Sequence, residues 1–285
     1  MSTQVPRLLA GLVDDAAVFP PGSAALPDAV TAHHRHRTGW YADLVGPLLL
    51  PASTLPDLPE LLAPDATLAV GVIGDVPVGR LEAALAEADS RLTVRQVEAP
   101  VAKRGEDPQP GLADLVKLAE RLGGTTVHAE IPLTFGLMGA LDALAEARAG
   151  GLPVAAKFRT GGLAAELFPT PVELAAVICA CRDRDLPFKL TAGLHHAIRH
   201  RDPETGFTHH GFVNVLAATL AAAGGAEVDG VAELLAATDP LRVVELARSQ
   251  REAERPLWVG YGSCSISEPL TDLIRLGLVN GGFEE

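Results

Sequence analysis

The chain has 285 residues, of which 48% are hydrophobic and 21% are charged, and its formal net charge is −13. This composition excludes a disordered or fibrous protein and allows one large buried core. Nucleic acid is not expected as a partner. A phosphate backbone would be repelled, and the sequence has no basic cluster with interleaved aromatic residues to overcome that repulsion.

The sequence also indicates where the protein resides. Its apolar runs are broken by Gly, Pro or charge well short of the ~18 residues that a membrane span requires, and the N-terminus lacks a secretory pattern. We therefore expect a cytoplasmic protein without membrane attachment. Three cysteines, Cys179, Cys181 and Cys264, lack Cys-x-x-Cys spacing. Neither a disulfide framework nor a structural zinc site is indicated.

Short runs rich in Val, Leu and Ile alternate along the chain with longer stretches at helical spacing, which is typical of repeated βα units. Eight evenly spaced units favour a closed α/β fold, a (β/α)8 TIM barrel, over an open doubly wound sheet. No dinucleotide-binding glycine motif or P-loop is present. We therefore predict one domain spanning residues 1–285. The predicted strands lie at residues 12–19, 47–52, 68–74, 92–99, 125–131, 154–160, 188–192 and 257–263.

Helices are predicted between these strands, among them residues 80–88, 114–121, 139–148, 172–182 and 268–276. Thr170 is expected to cap one helix with Pro171 in its first turn, and Ser267 to cap the last. The connection 197–256 is unusually long and is predicted to contain at least two helices. Its charged segment 199–210 carries little apolar surface, and we expect it to be a lid that is mobile without ligand.

Active sites of such barrels lie at the carboxyl ends of the strands. Because side chains alternate along a strand, Lys157 and Arg159 share one face, as do Lys189 and Thr191. Both lysines should therefore point into the barrel. Loss of hydration and a second nearby cation would then favour a neutral amine, which Schiff-base chemistry with a carbonyl compound requires. The alternative is that the lysines form ion pairs with Glu130 and Glu98, or hold a substrate carboxylate or phosphate without covalent chemistry.

The segment from Lys157 to Gly193 resembles the deoxyribose-phosphate aldolase group of class I aldolases. The shared features are Lys157-Phe158-Arg159-Thr160-Gly161-Gly162, a helix from Thr170-Pro171, Lys189-Leu190-Thr191-Ala192-Gly193 and Gly262-Ser263-Cys264-Ser265. The resemblance implies that Lys157 forms the Schiff base and that Lys189 lowers its pKa. Glu98 is the nearest counterpart of the family's strand-four aspartate. Because Ala192-Gly193 replaces a glycine pair that helps to bind phosphate, the resemblance does not imply a phosphorylated sugar.

The chain as a whole is similar to a bacterial protein family without an assigned activity. The motifs that carry this similarity are Phe19-Pro20-Pro21, Phe158-Arg159-Thr160-Gly161-Gly162, Thr191-Ala192-Gly193-Leu194-His195-His196, His210-Gly211-Phe212-Val213-Asn214 and Gly262-Ser263-Cys264-Ser265. The similarity implies a shared site and names no reaction.

Histidines form a second candidate group, with five crowded between positions 195 and 210. Imidazole can act as a general acid or base, or bind a divalent metal such as zinc. The sequence therefore leaves open a metal-dependent lyase, isomerase or hydrolase, in which Lys157 is an electrostatic clamp. The metal ligands would be His128, Glu130, His195 and His209. A barrel that binds a metabolite without turnover is a third interpretation.

Our leading hypothesis is a lyase of class I aldolase type that needs no cofactor and acts on a small carbonyl compound. A homo-oligomer is compatible with the sequence. The predicted catalytic residues are Lys157, Lys189, Glu130, Glu98 and His195. The predicted substrate-binding residues are Arg159, Thr160, Gly161, Thr191, His196, Ser263 and Asp15.

Overall fold

The computed structural model describes residues 5–281, and in it eight parallel strands close into a barrel. The predicted (β/α)8 TIM barrel is therefore confirmed. Neighbouring strands follow the order β1-β10-β7-β6-β5-β4-β3-β2. The barrel strands are β1 (Val13–Asp15), β2 (Val45–Pro51), β3 (Leu68–Ile73), β4 (Leu92–Pro100), β5 (Thr126–Glu130), β6 (Val154–Arg159), β7 (Phe188–Thr191) and β10 (Trp258–Ser263). The hairpin strands are β8 (His200–Arg201) and β9 (Thr208–His209).

Helices surround the barrel. They are α1 (Leu26–Thr38), α2 (Val78–Ala86), α3 (Gln109–Arg121), α4 (Leu137–Ala149), α5 (Pro171–Arg182), α6 (Phe212–Ala223), α7 (Val228–Ala236), α8 (Pro240–Ser249) and α9 (Ser267–Arg275). A 3-10 helix, Ala52–Leu61, occupies the β2–β3 connection; its Pro56 and Pro59 could not donate the backbone hydrogen bonds of an α-helix. None of the helices within residues 5–281 has the length and apolar character of a membrane span.

The eight predicted strands all form, and the differences lie at their ends. The largest is in the first strand, which was predicted to run to residue 19 and ends at Asp15. The chain turns there, with the Phe19 amide donating to the Ala16 carbonyl at 2.9 Å. Strand alternation places Phe158 against Phe188 in the apolar layer, with ring centroids 6.3 Å apart, while the neighbouring Lys157 points inward. Local periodicity thus separates an apolar shell from a polar interior.

One of the two predicted helix caps forms. Thr170 and Glu173 make a reciprocal capping box with Pro171 in the first turn of α5, as expected. The expectation that Ser267 caps α9 is wrong, because Ser267 is already helical. The Ser265 hydroxyl instead accepts a hydrogen bond from the Glu268 amide at 3.2 Å.

The connection 197–256 contains the β8–β9 hairpin and the helices α6 to α8. Segment 199–210 carries little apolar surface, but both of its ends are held to the rest of the protein by hydrogen bonds and a ring contact. His210 Nε2 donates to the Pro169 carbonyl at 2.8 Å, the Arg199 amide donates to Asn214 Oδ1 at 2.8 Å, and the Phe207 ring lies 4.8 Å from that of Phe168. The mobility of the segment without ligand stays a prediction.

Candidate active site

Both barrel lysines are buried and share one carboxylate. Lys157 Nζ lies 2.7 Å from Glu98 Oε2 and 2.8 Å from Glu130 Oε2. Lys189 Nζ lies 2.5 Å from Glu98 Oε1 and also contacts Asp14 Oδ2. The two lysine side chains are only 5% and 2% exposed. The prediction that both lysines point into the barrel is confirmed, and Glu98 bridges them.

The polar interior continues onto β1 through Gln96. Its Nε2 donates to Asp14 Oδ2 at 2.6 Å and to Glu98 Oε1 at 2.9 Å. Room for Asp14 depends on Gly46, since a Cβ at that position would lie 1.8 Å from Asp14 Oδ1. Neither Asp14 nor Gln96 was among the predicted site residues. Alternation from Glu98 on β4 would have indicated Gln96, because residues two apart on a strand share a face.

Asp15, a predicted substrate-binding residue, points away from this cluster. Its Oδ2 lies 3.0 Å from Nδ1 of His33 on α1, and both side chains are 2% exposed. Adjacent residues of a strand face opposite sides, so only one of the two aspartates of β1 can enter the barrel. The inward carboxylate is that of Asp14, which corrects the sequence-based choice.

The electrostatics of Lys157 differ from those expected. Burial by itself lowers the pKa of a lysine, but the carboxylates of Glu98 and Glu130 outweigh burial and raise the pKa of Lys157 above its usual range. The expectation of a neutral amine is therefore wrong for the ligand-free protein, where Lys157 is an ion-paired ammonium. Burial raises the pKa of the Asp14 carboxyl. The charge of Lys189 lowers it by a smaller amount, so the pKa of Asp14 stays above its usual value.

The two carboxylates that contact Lys157 are held in the ionised form. Burial favours their protonation, but Lys157 and Lys189 together lower the pKa of Glu98 well below its usual range. Lys157 and Arg159 do the same, less strongly, to Glu130. The buried lysines and glutamates therefore form close ion pairs, as the ion-pair alternative predicted.

His128 lies in the barrel beside the lysines and is 2% exposed. Burial, followed by the charge of Lys189, lowers the pKa of His128 to about 3, so its ring is neutral near pH 7. No side chain among residues 5–281 hydrogen-bonds to either ring nitrogen, and the polar contact of the ring is with the Val97 backbone. The ring nitrogen of His128 that does not face Val97 can accept a proton or a hydrogen bond from a ligand that enters the barrel.

A cavity of about 200 Å³ opens at the carboxyl ends of β4, β5 and β6. Glu130 and Arg159 form part of its wall, and Arg159 donates from Nη2 and Nε to Glu130 Oε1 at 3.1 and 3.3 Å. Lys157 does not line the cavity. Its Nζ contacts Glu130, which does. The remaining wall residues are Pro100, Ala102, Arg104, Ile131, Pro132, Leu133, Glu166, Leu167, Pro169 and Glu173.

Thr160 and Gly161, predicted to bind substrate, instead hold the ends of β6 and β7 together. The Thr160 hydroxyl donates to the Ala192 carbonyl at 2.7 Å. A Cβ at Gly161 would lie 2.9 Å from Gly193 Cα, so the backbones approach too closely for a side chain. The Thr191 carbonyl accepts from the Thr160 amide at 2.9 Å. These three predicted residues lie outside the cavity wall.

His195, His196 and Ser263 make their contacts around the start of α9. His195 Nδ1 lies 3.1 Å from Glu268 Oε2, and His196 Nδ1 lies 3.3 Å from Asp272 Oδ2. The Ser263 hydroxyl donates to the Ser265 carbonyl at 2.7 Å. None of the three lines the cavity. The predicted catalytic role of His195 stays a prediction. Lys157, Lys189, Glu98, Glu130 and Arg159 are linked by contacts, and of these only Glu130 and Arg159 line the cavity.

Cys264 lies close to His195, a contact that sequence spacing did not indicate. Its Sγ lies 3.8 Å from His195 Nδ1, although 69 residues separate the two in the chain. Burial raises the pKa of the Cys264 thiol, and nearby Glu268 adds to that effect. The thiol is therefore protonated at neutral pH, and a protonated thiol is a weak nucleophile.

The residues of the metal hypothesis have separate partners. His128 lies in the barrel interior, Glu130 contacts Lys157 and Arg159, and His195 contacts Glu268. His209 Nδ1 donates to the Gly193 carbonyl at 3.1 Å, and its ring stacks on His200 at 5.3 Å. Across the described part of the chain, no three His, Cys, Asp or Glu side chains are arranged to hold a metal ion.

Comparison of the chain with protein-family models, with curated proteins and with solved structures found no match. Function is therefore inferred from the site residues and their chemistry.

Proposed function

We propose that this protein is a lyase that forms a Schiff base between Lys157 and a small carbonyl compound. The observation that carries the proposal is the position of Lys157. Its buried amine contacts Glu130, a wall residue of the cavity, and shares Glu98 with a second buried lysine. Class I aldolase chemistry needs such an amine, with acid–base groups in direct contact and limited access for water.

Lys157 is a better nucleophile candidate than the other lysines of the chain. Lys189 contacts Glu98 and Asp14, neither of which lines the cavity, so its amine lies on the side away from entering substrate. Lys117 is 62% exposed on α3, and Lys103 is exposed in the loop after β4. These two amines lie in water, outside the buried network of carboxylates that could take a proton from Lys157.

The raised pKa of Lys157 sets the first chemical requirement. The ammonium must pass one proton to Glu98 or Glu130, both of which already lie within 2.8 Å. The free amine then adds to the substrate carbonyl to give a carbinolamine. Loss of water, with the same carboxyl group returning the proton to the departing hydroxyl, leaves an iminium ion. A substrate group that binds Arg159 would draw it from Glu130 and raise the basicity of that carboxylate.

Carbon–carbon cleavage follows from a β-hydroxyl group on the iminium. A carboxylate takes the hydroxyl proton, and the electron pair of the Cα–Cβ bond moves into the iminium. The products of this step are an aldehyde or ketone and an enamine on Lys157. Protonation of the enamine at carbon and hydrolysis by water release the second carbonyl product and restore the amine. Glu98, Glu130 and the neutral His128 are the proton carriers at hand.

The raised pKa of Lys157 favours a second candidate function. An ammonium that stays charged can donate a hydrogen bond to a substrate carbonyl, while Glu130 removes a proton from the adjacent carbon. This chemistry moves a double bond or a carbonyl group and would make the protein an isomerase. It uses the same residues and forms no covalent bond.

Borohydride trapping separates the two candidates. Wild-type protein is incubated with pyruvate or 4-methyl-2-oxopentanoate, reduced with borohydride and mapped by peptide mass. The Schiff-base proposal predicts a reduced adduct on Lys157, its loss in Lys157→Arg, and its retention in Lys117→Arg, the matched exposed control. Guanidinium cannot attack a carbonyl, so the arginine variant keeps the charge and loses the nucleophile.

Three results would count against the lyase. Equal labelling of Lys117 and Lys157 would indicate non-specific alkylation. Exchange of substrate α-hydrogen for solvent deuterium without any trapped adduct would favour the isomerase. Exchange that stops on treatment with a chelator and returns with added zinc would instead support the metal-dependent alternative.

A further inference from the structure

We propose that the cavity binds small monocarboxylates that carry a hydrocarbon body, and that Arg104 is a second carboxylate-binding residue beside Arg159. The proposal deepens the Schiff-base function and rests on it for the reaction, but the binding itself can be measured without any reaction.

The cavity wall is the first line of support. Seven of its twelve lining residues are apolar: Pro100, Ala102, Ile131, Pro132, Leu133, Leu167 and Pro169. None of its lining residues is Ser, Thr, Asn, Gln, Tyr or His. The five charged side chains could pair with only some hydroxyl groups of a polyhydroxylated ligand, and each hydroxyl left facing apolar carbon would cost about 1–3 kcal/mol. A hydrocarbon body gains free energy from the same surface.

The charged residues of the cavity wall differ in the hydrogen bonds and ion pairs that they already make. Glu130 contacts Lys157 and Arg159, and Glu173 accepts hydrogen bonds from the amide and hydroxyl of Thr170 at 2.7 and 2.9 Å. Arg104 forms no hydrogen bond or ion pair with any described residue, although its charge lies close enough to Glu173 to help lower the pKa of that carboxyl. Arg159 uses Nε and Nη2 on a single carboxylate oxygen. The two guanidinium groups therefore keep donors for an incoming anion, and planar carboxylates suit such donors.

The strand geometry fixes how a ligand would lie. Arg159 and Lys157 are two residues apart on β6 and share a face, so their Cα atoms are separated by about 6.6 Å along the strand. A carboxylate on Arg159 therefore places a carbonyl group one or two bonds away near the Lys157 amine. The volume of about 200 Å³ lies below the ~300 Å³ at which pockets begin to hold drug-sized ligands. The ligand is therefore a short acid.

Glu166 provides the counter-argument and a test of it. It also lines the cavity and has no ion pair among the described residues, so a cationic ligand would have a partner there. Glu166 is exposed on the short 3-10 helix Ala165–Leu167, whereas Arg159 lies on the strand that carries Lys157. Only the arginine side brings a bound ligand to the amine.

The experiment is calorimetric titration of the full chain with four probes that cannot form a productive imine. They are 4-methylpentanoate, its neutral amide, 3-methylbutylamine and glycerol 3-phosphate. We expect binding of 4-methylpentanoate, at least about tenfold weaker binding of the amide because the charge-assisted hydrogen bonds are lost, and no saturable binding of the other two. Tighter binding of the amine or of the phosphate would overturn the proposal.

Variants assign the binding to the cavity. Arg104→Gln should weaken 4-methylpentanoate binding about five- to tenfold, whereas Arg80→Gln, an exposed control on α2, should leave it unchanged. Leu167→Asn should weaken it, and Leu241→Asn, a 61% exposed control on α8, should not. Unchanged binding in both Arg104→Gln and Leu167→Asn would place the ligand elsewhere. If carboxylate binding holds but no borohydride adduct forms, the Schiff-base function fails and the binding site stands.

Discussion

Two halves of the barrel mouth carry many ionisable side chains and pair them differently. In the half formed by β4 to β6, buried ions share partners beside the cavity, as Glu98 does between Lys157 and Lys189. In the half formed by β10, α9 and the β8–β9 hairpin, His195 and His196 pair singly with α9 and are 24% and 51% exposed. What distinguishes the first half is burial, which leaves charges unscreened and sensitive to a ligand.

The largest expected difference between the halves is in reactivity. Lys189→Met should slow formation of the borohydride-trapped pyruvate adduct on Lys157 by at least about tenfold. The pH at which adduct formation is half-maximal should also rise. Without Lys189, the charge of Glu98 acts more fully on Lys157, so the pKa of Lys157 rises further and less free amine is present at a given pH. Glu268→Gln, in the other half, should change the rate less than about twofold. Adduct yield at Lys157 over a pH series measures both, and similar profiles for the two variants would contradict the comparison.

Loss of an ion-pair partner should lower the free energy of unfolding more in the β4–β6 half than in the other half. Glu98→Ala leaves two lysines short of a buried partner and should lower the free energy of unfolding by about 3–5 kcal/mol. Glu268→Ala removes the partly exposed partner of His195 and should cost about 0–1 kcal/mol. Urea denaturation of the two variants gives both values. Losses of equal size would mean that the buried network is no more cohesive than a surface pair.

A steric change tests whether the buried network needs its exact spacing. Gly46→Ala places a Cβ 1.8 Å from Asp14 Oδ1 and should cost about 1–3 kcal/mol through overpacking. Gly79→Ala is the matched control, because a Cβ there meets nothing within 4 Å and alanine favours the helix α2. Thermal unfolding compares the two. A neutral Gly46→Ala would show that Asp14 moves freely.

The pH dependence of stability should report His128. Its pKa is about 3 in the folded protein and ~6.5 when unfolded, so between these values the unfolded chain binds more protons. The free energy of unfolding should therefore fall as the pH is lowered through this window. His128→Leu should reduce the slope by up to about 1.4 kcal/mol per pH unit. Urea titrations from pH 7 to pH 4 measure it, with His34→Gln on the exposed face of α1 as the control expected to differ less.

The smallest expected effect concerns the histidine-rich half. Segment 199–210 is anchored through Arg199, Phe207 and His210, so ligand-dependent ordering should be confined to residues 202–206 between the hairpin strands. We expect a few-fold gain in hydrogen-exchange protection there when 4-methyl-2-oxopentanoate is bound. Equal protection with and without the ligand would remove the hairpin from the mechanism.

The sequence by itself determined the barrel and the direction of its lysines. Strand and helix periods are local properties, so eight apolar runs were enough to indicate eight strands, and alternation was enough to place Lys157 and Lys189 inside. The capping box at Thr170 is likewise written in four consecutive residues.

Only the tertiary structure decided which groups meet inside the barrel. Lys189 and Asp14 are 175 residues apart and become partners through barrel closure, which no local pattern specifies. The choice of Asp14 over Asp15 depends on the register of β1 against β10 and β2, and the place of Arg104 in the cavity wall depends on the loop after β4. The pKa of Lys157 followed from these partners. Burial and opposing charge act on it in opposite directions, and only the distances to Glu98 and Glu130 determine which effect is larger.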